Sequence, residues 1–247
     1  MERFKTKTVL VTGGGSGIGA AVAKRFAAEG ASVVITGRRE EKLMEVAETD
    51  QSKIFPVKMD VSKQEDWKKV IDITHEKVGN VDILINNAGI ADLTPLEYLT
   101  EEQFRKSLEI NLMSDFYGMK AVLGDMKEKN WGRIVNVASL AAQSASGDSP
   151  AYATSKHAVN GLTKSAAHGL AKYNILVNSI LPGTIDTPMM DGVKAMSPEA
   201  IHQICASIPL HRMATPEEVA SLILYLASED NTYITGSGIV IDGGMTA

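Results

Sequence analysis

Short apolar runs rich in β-branched residues alternate along the whole chain with segments of amphipathic helical pattern. The runs are nearly continuous in apolar residues, which is typical of strands buried on both faces of a parallel sheet. Between them, segments such as Ile18–Ala28 and Glu217–Ala227 place apolar residues three and four positions apart, as amphipathic helices do. Right-handed crossovers then predict a doubly wound α/β sheet whose ligand crevice lies beyond the carboxyl ends of the strands. The predicted strands are Thr8–Thr12, Ser32–Thr36, Ile54–Lys58, Ile83–Asn86, Arg133–Ala138, Ile175–Ile180 and Ile239–Ile241.

The chain shows no internal repeat, low-complexity tract or linker, so residues 1–247 are predicted to form a single domain. A formal charge of −5 argues against nucleic-acid binding, which needs a basic face. The densest basic group comprises Lys127, Lys129 and Arg133, and we interpret it as a solvated helix end.

The sequence argues against a disulfide, a metal site, a membrane span and a signal peptide. The single Cys205 cannot form an intrachain disulfide, and the five histidines have no paired ligand spacing, so no metal site is expected. No stretch approaches ~18 uninterrupted apolar residues, so no membrane span is expected. The polar start from Met1 to Lys7 leads directly into the first predicted strand and leaves no room for a signal peptide. We therefore expect a cytoplasmic protein.

A glycine-rich turn follows the first predicted strand and opens the first predicted helix. Glycines at this place let the backbone approach a pyrophosphate, which binds over the free N–H groups of the helix N-terminus. The spacing differs from the commoner G-x-G-x-x-G, but its place between the first strand and the first helix favours dinucleotide binding over a purely structural turn. The residues expected to contact the dinucleotide here are Gly13, Gly15, Ser16, Gly17, Ile18 and Gly19.

The tip of the second predicted strand bears on which dinucleotide binds. NAD-specific sites place an acidic residue there, about 20 positions after the glycines, to bind the ribose hydroxyls. Here the strand ends in Gly37, Arg38 and Arg39, and guanidiniums pair well with a 2′-phosphate. The alternative is a solvated basic turn balanced by Glu40 and Glu41. We predict a preference for NADP(H), with NAD(H) left open.

The segment from Tyr152 to Lys156 opens a long helical pattern, and residues four apart share one face of a helix. The phenol and the ammonium are therefore expected to point into the same site. A free tyrosine ionises near pH 10, too high for a base at neutral pH, but a nearby cation stabilises the phenolate. By itself this spacing is common and usually means a helix with a surface lysine.

Three further polar positions are expected beside the same crevice. Ser139 ends the fifth predicted strand, where its hydroxyl can hydrogen-bond a substrate oxygen, although it can also be an ordinary polar strand end. Asn111 lies inside an apolar helical run, and a buried amide there needs a local helix break or a water for its hydrogen bonds. The segment Asn86–Gly89 ends the fourth predicted strand, where it can also be only a turn.

In order and spacing, these residues resemble the short-chain dehydrogenase/reductase family across essentially the whole chain. The resemblance implies a seven-stranded Rossmann sheet, a homotetramer and a catalytic tetrad. It rests on the turn from Thr12 to Gly19, Asp60 and Val61 after the third strand, the run Asn86, Asn87, Ala88 and Gly89, the tetrad residues Asn111, Ser139, Tyr152 and Lys156, and Pro182, Gly183 and Thr187 after the sixth strand.

The resemblance also implies a division of roles. Tyr152 protonates the carbonyl oxygen and Ser139 orients it, while Lys156 assists the tyrosine and holds the nicotinamide ribose. Asn111 anchors a water that relays protons to the lysine. The family's hydride transfer uses no metal. The remaining contacts implied for the cofactor are Asp60 and Val61 at the adenine, Asn87 at the adenosine ribose, and Ile185 and Thr187 at the carboxamide.

The chain departs from the family pattern at a few positions. Many NADP-using relatives carry a basic residue in the glycine turn where this chain has Ser16. The segment Lys172–Asn178 lacks the arginine common before the sixth strand's Val-Asn, and His168 stands where tetramer-forming relatives often have glutamate. These differences bear on cofactor choice and on the subunit interface.

Residues 188–210 are expected to form a substrate lid. Its Met189, Met190, Met196 and Ile208 suit a moderately apolar substrate, or equally pack within the lid itself. The predicted function is reduction of a small ketone or oxidation of a secondary alcohol. A first alternative is a 3-oxoacyl-[acyl-carrier-protein] reductase, for which the basic residues Lys127, Lys129, Arg133 and Lys172 would supply a partial docking patch. A second alternative, of another class, is a non-catalytic dinucleotide-sensing protein.

Overall fold

The computed structural model describes residues 2–144, 148–196 and 198–247. Its centre is one sheet of seven parallel strands in the order β3-β2-β1-β4-β5-β6-β7. The order reverses between β1 and β4, which creates the crevice that a doubly wound sheet uses for ligands. The predicted doubly wound Rossmann fold is confirmed. The strands are β1 (Thr8–Thr12), β2 (Ser32–Gly37), β3 (Ile54–Lys58), β4 (Ile83–Asn86), β5 (Gly132–Val137), β6 (Ile175–Pro182) and β7 (Gly238–Ile241).

Helices cover both faces of this sheet. A π-helical segment, Glu109–Met113, joins two of them, and short 3₁₀ turns lie at Leu140–Ala142, Ala171–Tyr173 and Pro188–Met190. The helices are α1 (Gly17–Ala28), α2 (Glu40–Ala47), α3 (Gln64–Val78), α4 (Glu101–Leu108), α5 (Ser114–Glu128), α6 (Pro150–Leu170), α7 (Asp191–Met196), α8 (Pro198–Ser207) and α9 (Pro216–Ala227).

The alternation of side chains along each strand divides the core into two layers. Val9 and Val11 point to the layer formed with α1 and α9, whereas Leu10 points to the layer formed with α3 and α5. Because both faces are covered, nearly every residue of the central strands is buried, and this explains the continuous apolar runs in the sequence.

Strand and helix ends differ from the predicted ones by one or two residues, for local reasons. β6 runs on to Pro182 because it pairs with β7 up to Ile241. β5 ends at Val137, and the amide of Ala138 makes one further hydrogen bond to Ile180 of β6 while it also contacts the carbonyl of Asn136 in a tight turn. Helix α9 begins one residue early, since the Thr215 hydroxyl caps it.

The group of Lys127, Lys129 and Arg133 was expected to be a solvated helix end, and for Arg133 this is wrong. Its side chain is only 3% exposed, and its guanidinium donates to the backbone carbonyls of Gly132, Asn174, Ser228 and Asn231. Burial lowers the pKa of this guanidinium to about 10, which leaves it charged at neutral pH. The arginine therefore ties the start of β5 to the end of α9.

Among the described residues, no helix is both long and apolar enough to cross a membrane. Within the same ranges, no group of three or more histidine, cysteine, aspartate or glutamate side chains is placed to hold a metal ion.

Candidate active site

The turn between β1 and α1 leaves the backbone open to a ligand. Gly13 has φ +66° and Gly17 has φ +53°, a left-handed conformation that favours glycine. A Cβ on Gly19 would overlap the carbonyl oxygen of Gly13, so any side chain there would force the helix away from the strand. These three positions therefore require glycine for the shape of the turn.

The first turn of α1 offers a place for an anion. Ser16 is the N-cap residue, yet its side chain makes no capping hydrogen bond, so its hydroxyl and the N–H groups of the first turn are open to a ligand. A Cβ on Gly17 would lie 3.1 Å from the Cγ2 atom of Thr187, which places Thr187 directly against this turn. The turn and the loop after β6, expected to share a cofactor, do lie together.

Asn87 joins the end of β4 to the glycine turn. Its Nδ2 donates to the carbonyl oxygens of Thr12 (2.9 Å) and Gly13 (3.2 Å). The Thr12 hydroxyl in turn accepts from the backbone amides of Asn87 and Ala88, both at 3.0 Å. Thr12 and Asn87 therefore hold the crevice open at the point where the strand order reverses.

Arg38 and Arg39 are exposed where β2 ends, and neither guanidinium forms an ion pair with a residue that the structure describes. The alternative expectation was that Glu40 and Glu41 balance them. Glu40 instead lies 4.0 Å from Lys58, the residue paired with Gly37 in the neighbouring strand. The two arginines are thus available for an anionic ligand.

Asp60 and Val61 follow β3 at the same edge of the sheet. The Asp60 carboxylate accepts from the amide (3.1 Å) and the hydroxyl (2.7 Å) of Ser62, which fixes the turn. Val61 is 8% exposed, and its carbonyl accepts from the indole N–H of Trp67 at 2.9 Å. Both residues lie where the resemblance implies an adenine, on the side of the crevice nearest Arg38.

The loop after β6 reaches the opposite side of the crevice. The Gly183 amide donates to the carbonyl of Ile241, which continues the pairing of β6 with β7 past Pro182. Ile185 is buried and bridges to Ala214. Thr187 lies against the glycine turn. Ile185 and Thr187, the residues implied to bind the carboxamide, are therefore close to the residues implied to bind the pyrophosphate.

Helix α6 carries Tyr152 and Lys156 on one face, as their spacing predicts. Lys156 is 5% exposed, and its Nζ donates to the carbonyl of Val137 at 2.8 Å. The same Nζ lies 5.8 Å from the centre of the Tyr152 ring. Lys156 is therefore a buried cation beside a half-buried phenol, not a surface lysine. Two of its three donors are left for other partners.

Asn111 is fully buried in the π-helical segment Glu109–Met113. Its Oδ1 accepts from the amide of Ile90 (2.8 Å), and its Nδ2 donates to the carbonyl of Ile90 (3.0 Å) and the hydroxyl of Ser155 (2.9 Å). The expected local helix break is present, and it is a π-turn that lets the amide face the site. A Cβ on Gly89 would lie 3.2 Å from Asn111 Oδ1 and 3.5 Å from Lys156 Nζ, so these three residues adjoin.

Ser139 follows β5 two residues after Val137, the residue whose carbonyl binds Lys156. It is partly exposed, and it caps the 3₁₀ turn Leu140–Ala142 through a bond from the Ala141 amide at 3.2 Å. Helix α6 packs on this turn. Among the described residues, the Ser139 hydroxyl acts as an acceptor only, in that capping bond, so its proton is available for donation.

Two further residues at this site, Ser155 and Asp115, were not predicted from the sequence. Ser155 links the tetrad from within α6, since its hydroxyl binds both Asn111 and the carbonyl of Tyr152. Asp115 is a buried carboxyl that interacts with the charge of Lys156. Like Asn111, it interrupts an apolar helical run, and that signal in the sequence could have identified it.

The lid residues are only partly as expected. Met189 is 57% exposed, whereas Ile208 is buried and lies against Gly243 near the chain end. Ile208 thus packs within the protein and is not free for a substrate. The side chain of Met196 lies outside the described residues.

The expected basic patch for an acyl carrier protein is misplaced. Lys127, Lys129 and Arg133 lie at or before the start of β5, and Lys172 lies before the start of β6. Amino ends of parallel strands lie at the edge of the sheet opposite the crevice. Lys129 is also bound to Asp82, and Arg133 is buried, so these residues cannot form a patch at the site entrance.

Comparison with known proteins places this geometry in a family. A family model described as "Enoyl-(Acyl carrier protein) reductase" matches residues 13–246. The chain is 36% identical to trans-4-hydroxycyclohexanecarboxylate dehydrogenase of Sinomonas cyclohexanicum, with 100% of this chain and 95% of the relative covered. It is 37% identical to the NADP-dependent (R)-specific alcohol dehydrogenase of Lentilactobacillus kefiri, with 100% and 99% covered.

Two further similarities complete the comparison. The chain is 38% identical to the 3-oxoacyl-[acyl-carrier-protein] reductase FabG of Thermotoga maritima, with 98% of this chain and 99% of the relative covered. The crystal structure of levodione reductase superimposes with a TM-score of 0.93 at 36% identity, covering 98% of each chain. The chain belongs to the short-chain dehydrogenase/reductase family, and it is an oxidoreductase that acts on alcohols or ketones.

Proposed function

We propose that the protein interconverts a small ketone and its secondary alcohol, with Tyr152 as the acid/base and NADP(H) as the preferred cofactor. The observation that carries the proposal is the buried Lys156 ammonium beside the Tyr152 ring, adjoined by Asn111 and Gly89. A buried cation is costly unless it has a task or a full set of partners. Here a single carbonyl, that of Val137, is its hydrogen-bond acceptor among the described residues.

The dinucleotide fits this chain's own residues. Along one crevice lie the glycines of the turn, an N-cap hydroxyl without a capping bond, and two guanidiniums that form no ion pair with a described residue. When bound, a nicotinamide cofactor supplies or accepts the hydride. The residues that would hold it are Gly13, Gly15, Ser16, Gly17, Ile18, Gly19, Arg38, Arg39, Asp60, Val61, Asn87, Ala88, Gly89, Pro182, Gly183, Ile185 and Thr187, with Tyr152 and Lys156 at the reactive end.

The chain's residues divide the proton chemistry among them. Tyr152 donates a proton to the carbonyl oxygen during reduction and removes it from the hydroxyl during oxidation. Ser139 donates a hydrogen bond to the same oxygen and orients it. The Lys156 ammonium stabilises the phenolate, and its two remaining donors hold the ribose and a water.

Asn111 has limited capacity for a water. Both protons of its amide are already donated, to Ile90 and Ser155, and one lone pair of Oδ1 accepts from the Ile90 amide. The second lone pair of Oδ1 is left to accept from a water on the side of Lys156. This is the position from which such a water would return protons to the lysine.

The preference for NADP(H) rests on the end of β2. Gly37 leaves no acid to repel a 2′-phosphate, and the guanidinium of Arg38 is unpaired among the described residues. A relative that is 37% identical is an NADP-dependent alcohol dehydrogenase. Because the basic patch is misplaced, we favour a small carbonyl substrate over an acyl carrier protein. The intact tetrad disfavours a non-catalytic dinucleotide sensor.

We also propose a homotetramer. β7 is an edge strand that is only partly buried, and the chain leaves Tyr233 97% and Met245 38% exposed beside it. Apolar and aromatic surface next to a sheet edge is typical of a subunit interface. A cytoplasmic location stays a prediction.

Replacement of one phenol tests the proposal. Tyr152→Phe should lower kcat at least about 100-fold, as loss of a general acid/base does, while dinucleotide affinity stays within about twofold. Tyr225→Phe, on helix α9 away from the crevice, is the matched control and should keep full activity. Turnover is measured on a panel of ketones and secondary alcohols with NADPH, NADH and their oxidised forms. Activity of Tyr152→Phe within tenfold of wild type would remove Tyr152 from the mechanism.

A further inference from the structure

A carboxyl group is buried next to the π-helical segment whose Asn111 adjoins the catalytic lysine. Asp115 lies in the first turn of α5, immediately after the π-helical segment that carries Asn111, and only 2% of it is exposed. No ion pair joins it to any other residue in the described ranges. A buried aspartate without a paired cation is rare in folded proteins, and it calls for a functional or structural reason.

The surroundings of Asp115 supply little to an ionised carboxylate. The hydroxyl of Ser114 lies 3.4 Å from Asp115 Oδ1, but its proton is directed to the carbonyl of Ile110 at 2.6 Å. The side-chain amide of Asn86 donates to the backbone carbonyl of Asp115 at 3.3 Å, not to its carboxyl group. The Asn86 Oδ1 atom is buried and has no hydrogen-bond partner among the described residues. The surroundings thus favour a protonated, neutral carboxyl.

Only one charged group acts appreciably on this carboxyl among the described residues, and it is Lys156 of α6. Helix α3 packs on α5, but its charged side chains are engaged away from Asp115. Lys68 and Asp72 line a surface groove with Lys120, and His75 binds Asp125 near the far end of α5. The π-helical segment contributes Glu109, which is not buried. β4 contributes no charged side chain.

Burial is the main cause that raises the pKa of the Asp115 carboxyl, to about 8, and the Lys156 charge opposes this effect. The carboxyl is therefore neutral at pH 7 and ionises only in mildly alkaline solution.

We propose that Asp115 is a positioning residue for catalysis, whose buried carboxyl controls the net charge around the Lys156 ammonium and so the pH at which Tyr152 is active. The inference rests on the proposed roles of Tyr152 and Lys156. While Asp115 is neutral, the full charge of Lys156 stabilises the phenolate. Once Asp115 ionises, its negative charge offsets part of that stabilisation and makes the loss of a proton from Tyr152 harder.

The first test is the pH profile of kcat/KM for alcohol oxidation, using the best alcohol of the panel. Asp115→Asn and Asp115→Leu both remove the ionisation, so both profiles should have midpoints about 0.5 pH unit below that of wild type. The rates should coincide at acidic pH and diverge above pH about 7.5. A variant that had only damaged the structure would lower kcat at every pH without moving the midpoint. Midpoints within about 0.2 unit of wild type would overturn the inference.

The second test needs no substrate. Tyrosinate absorbance is titrated in the cofactor-free protein, and subtracting the curve of Tyr152→Phe isolates the signal of Tyr152. In the Asp115→Asn background this signal should appear at lower pH than in wild type, by about the same 0.5 unit. Asp125→Asn is the matched control, since Asp125 lies on the same helix but binds Val81 and His75 at the other end of the sheet. Its Tyr152 signal should not move.

The two proposals fail in distinguishable ways. If Tyr152→Phe retains activity, the proposed function is wrong whatever Asp115 does. If Tyr152→Phe is inactive but the Asp115 variants leave both titrations unchanged, the proposed function stands and the role of Asp115 is refuted.

Discussion

Replacing Asp115 with asparagine should make the protein more stable at neutral and alkaline pH. The side chain keeps its size, but the group that resists burial when charged is removed. In the folded protein the carboxyl has a pKa of about 8, against an ordinary value of 3.8. Because the folded state holds this proton more tightly, Asp115 favours folding in acid, and its contribution is lost as the pH rises towards 8.

The magnitude follows from the difference between the two pKa values. About three pH units separate pH 7 from the ordinary value, and each unit corresponds to about 1.36 kcal/mol. Relative to acid solution, Asp115 thus costs the fold about 4 kcal/mol at pH 7, and about 6 kcal/mol above pH 8. Asp115→Asn should recover most of this cost, which for a chain of this size raises Tm by about 10 °C at pH 7.

The assay is urea unfolding at pH 5, 7 and 9, followed by the fluorescence of Trp67 and Trp131, with all proteins at one protomer concentration. The gain in the free energy of unfolding should be small at pH 5, about 1–2 kcal/mol, and should grow to its full value at pH 9. Asp125→Asn should instead lower stability, because it weakens the hydrogen bonds to Val81 and His75. A gain for Asp115→Asn that is independent of pH would show that the carboxyl is not held neutral by burial.

Three other predictions concern the cofactor, the assembly and the far edge of the sheet. Gly37→Asp combined with Arg38→Leu should reverse the cofactor preference, since it adds repulsion and removes an attraction; wild type should favour NADPH by about ten- to a hundredfold in kcat/KM. Equal or better kcat/KM with NADH in wild type would end the NADP assignment. Light scattering should give about four times the chain mass of 26.5 kDa, and a monomer at micromolar concentration would contradict the tetramer. Arg133→Met should cost about 3–5 kcal/mol of stability in urea unfolding, because four backbone carbonyls each lose a hydrogen bond from the guanidinium. Activity per folded protomer should be unchanged in Arg133→Met, and a large fall would mean that Arg133 reaches the site.

The effects of Asp115→Asn on stability and on the pH profile together show whether the stability lost at Asp115 serves catalysis. Proteins commonly give up stability where a catalytic group must be held in an unfavourable environment. If Asp115→Asn is more stable and also shifts the pH profile, the lost stability is linked to control of the Tyr152–Lys156 pair. If it is more stable and the pH profile is unchanged, the buried carboxyl has no role in catalysis.

The fold could be predicted from the sequence because its signals are local and repeated. Seven apolar runs of strand length, separated by helical patterns, require a parallel sheet covered on both faces. The glycine turn was predictable for a similar reason, since glycine is favoured at the φ of Gly13 and Gly17 and a Cβ at Gly19 would overlap the backbone of Gly13. The spacing of Tyr152 and Lys156 sufficed to place both on one face of α6.

Other features were decided only by tertiary structure, because they depend on contacts between distant segments. The sequence indicated that Arg133 is a surface cation, but the segment that follows α9 packs over it and supplies the carbonyl acceptors of Ser228 and Asn231. Lys156 is buried in the folded chain, where its ammonium donates to the carbonyl of Val137 at the end of β5. Asp115 carries no sign of its ionisation in the sequence, since the resistance to its charge comes from the helices and strands packed around it. Local periodicity thus determined where the chain forms strands, helices and turns, while the desolvation of individual charges arose only when those elements packed together.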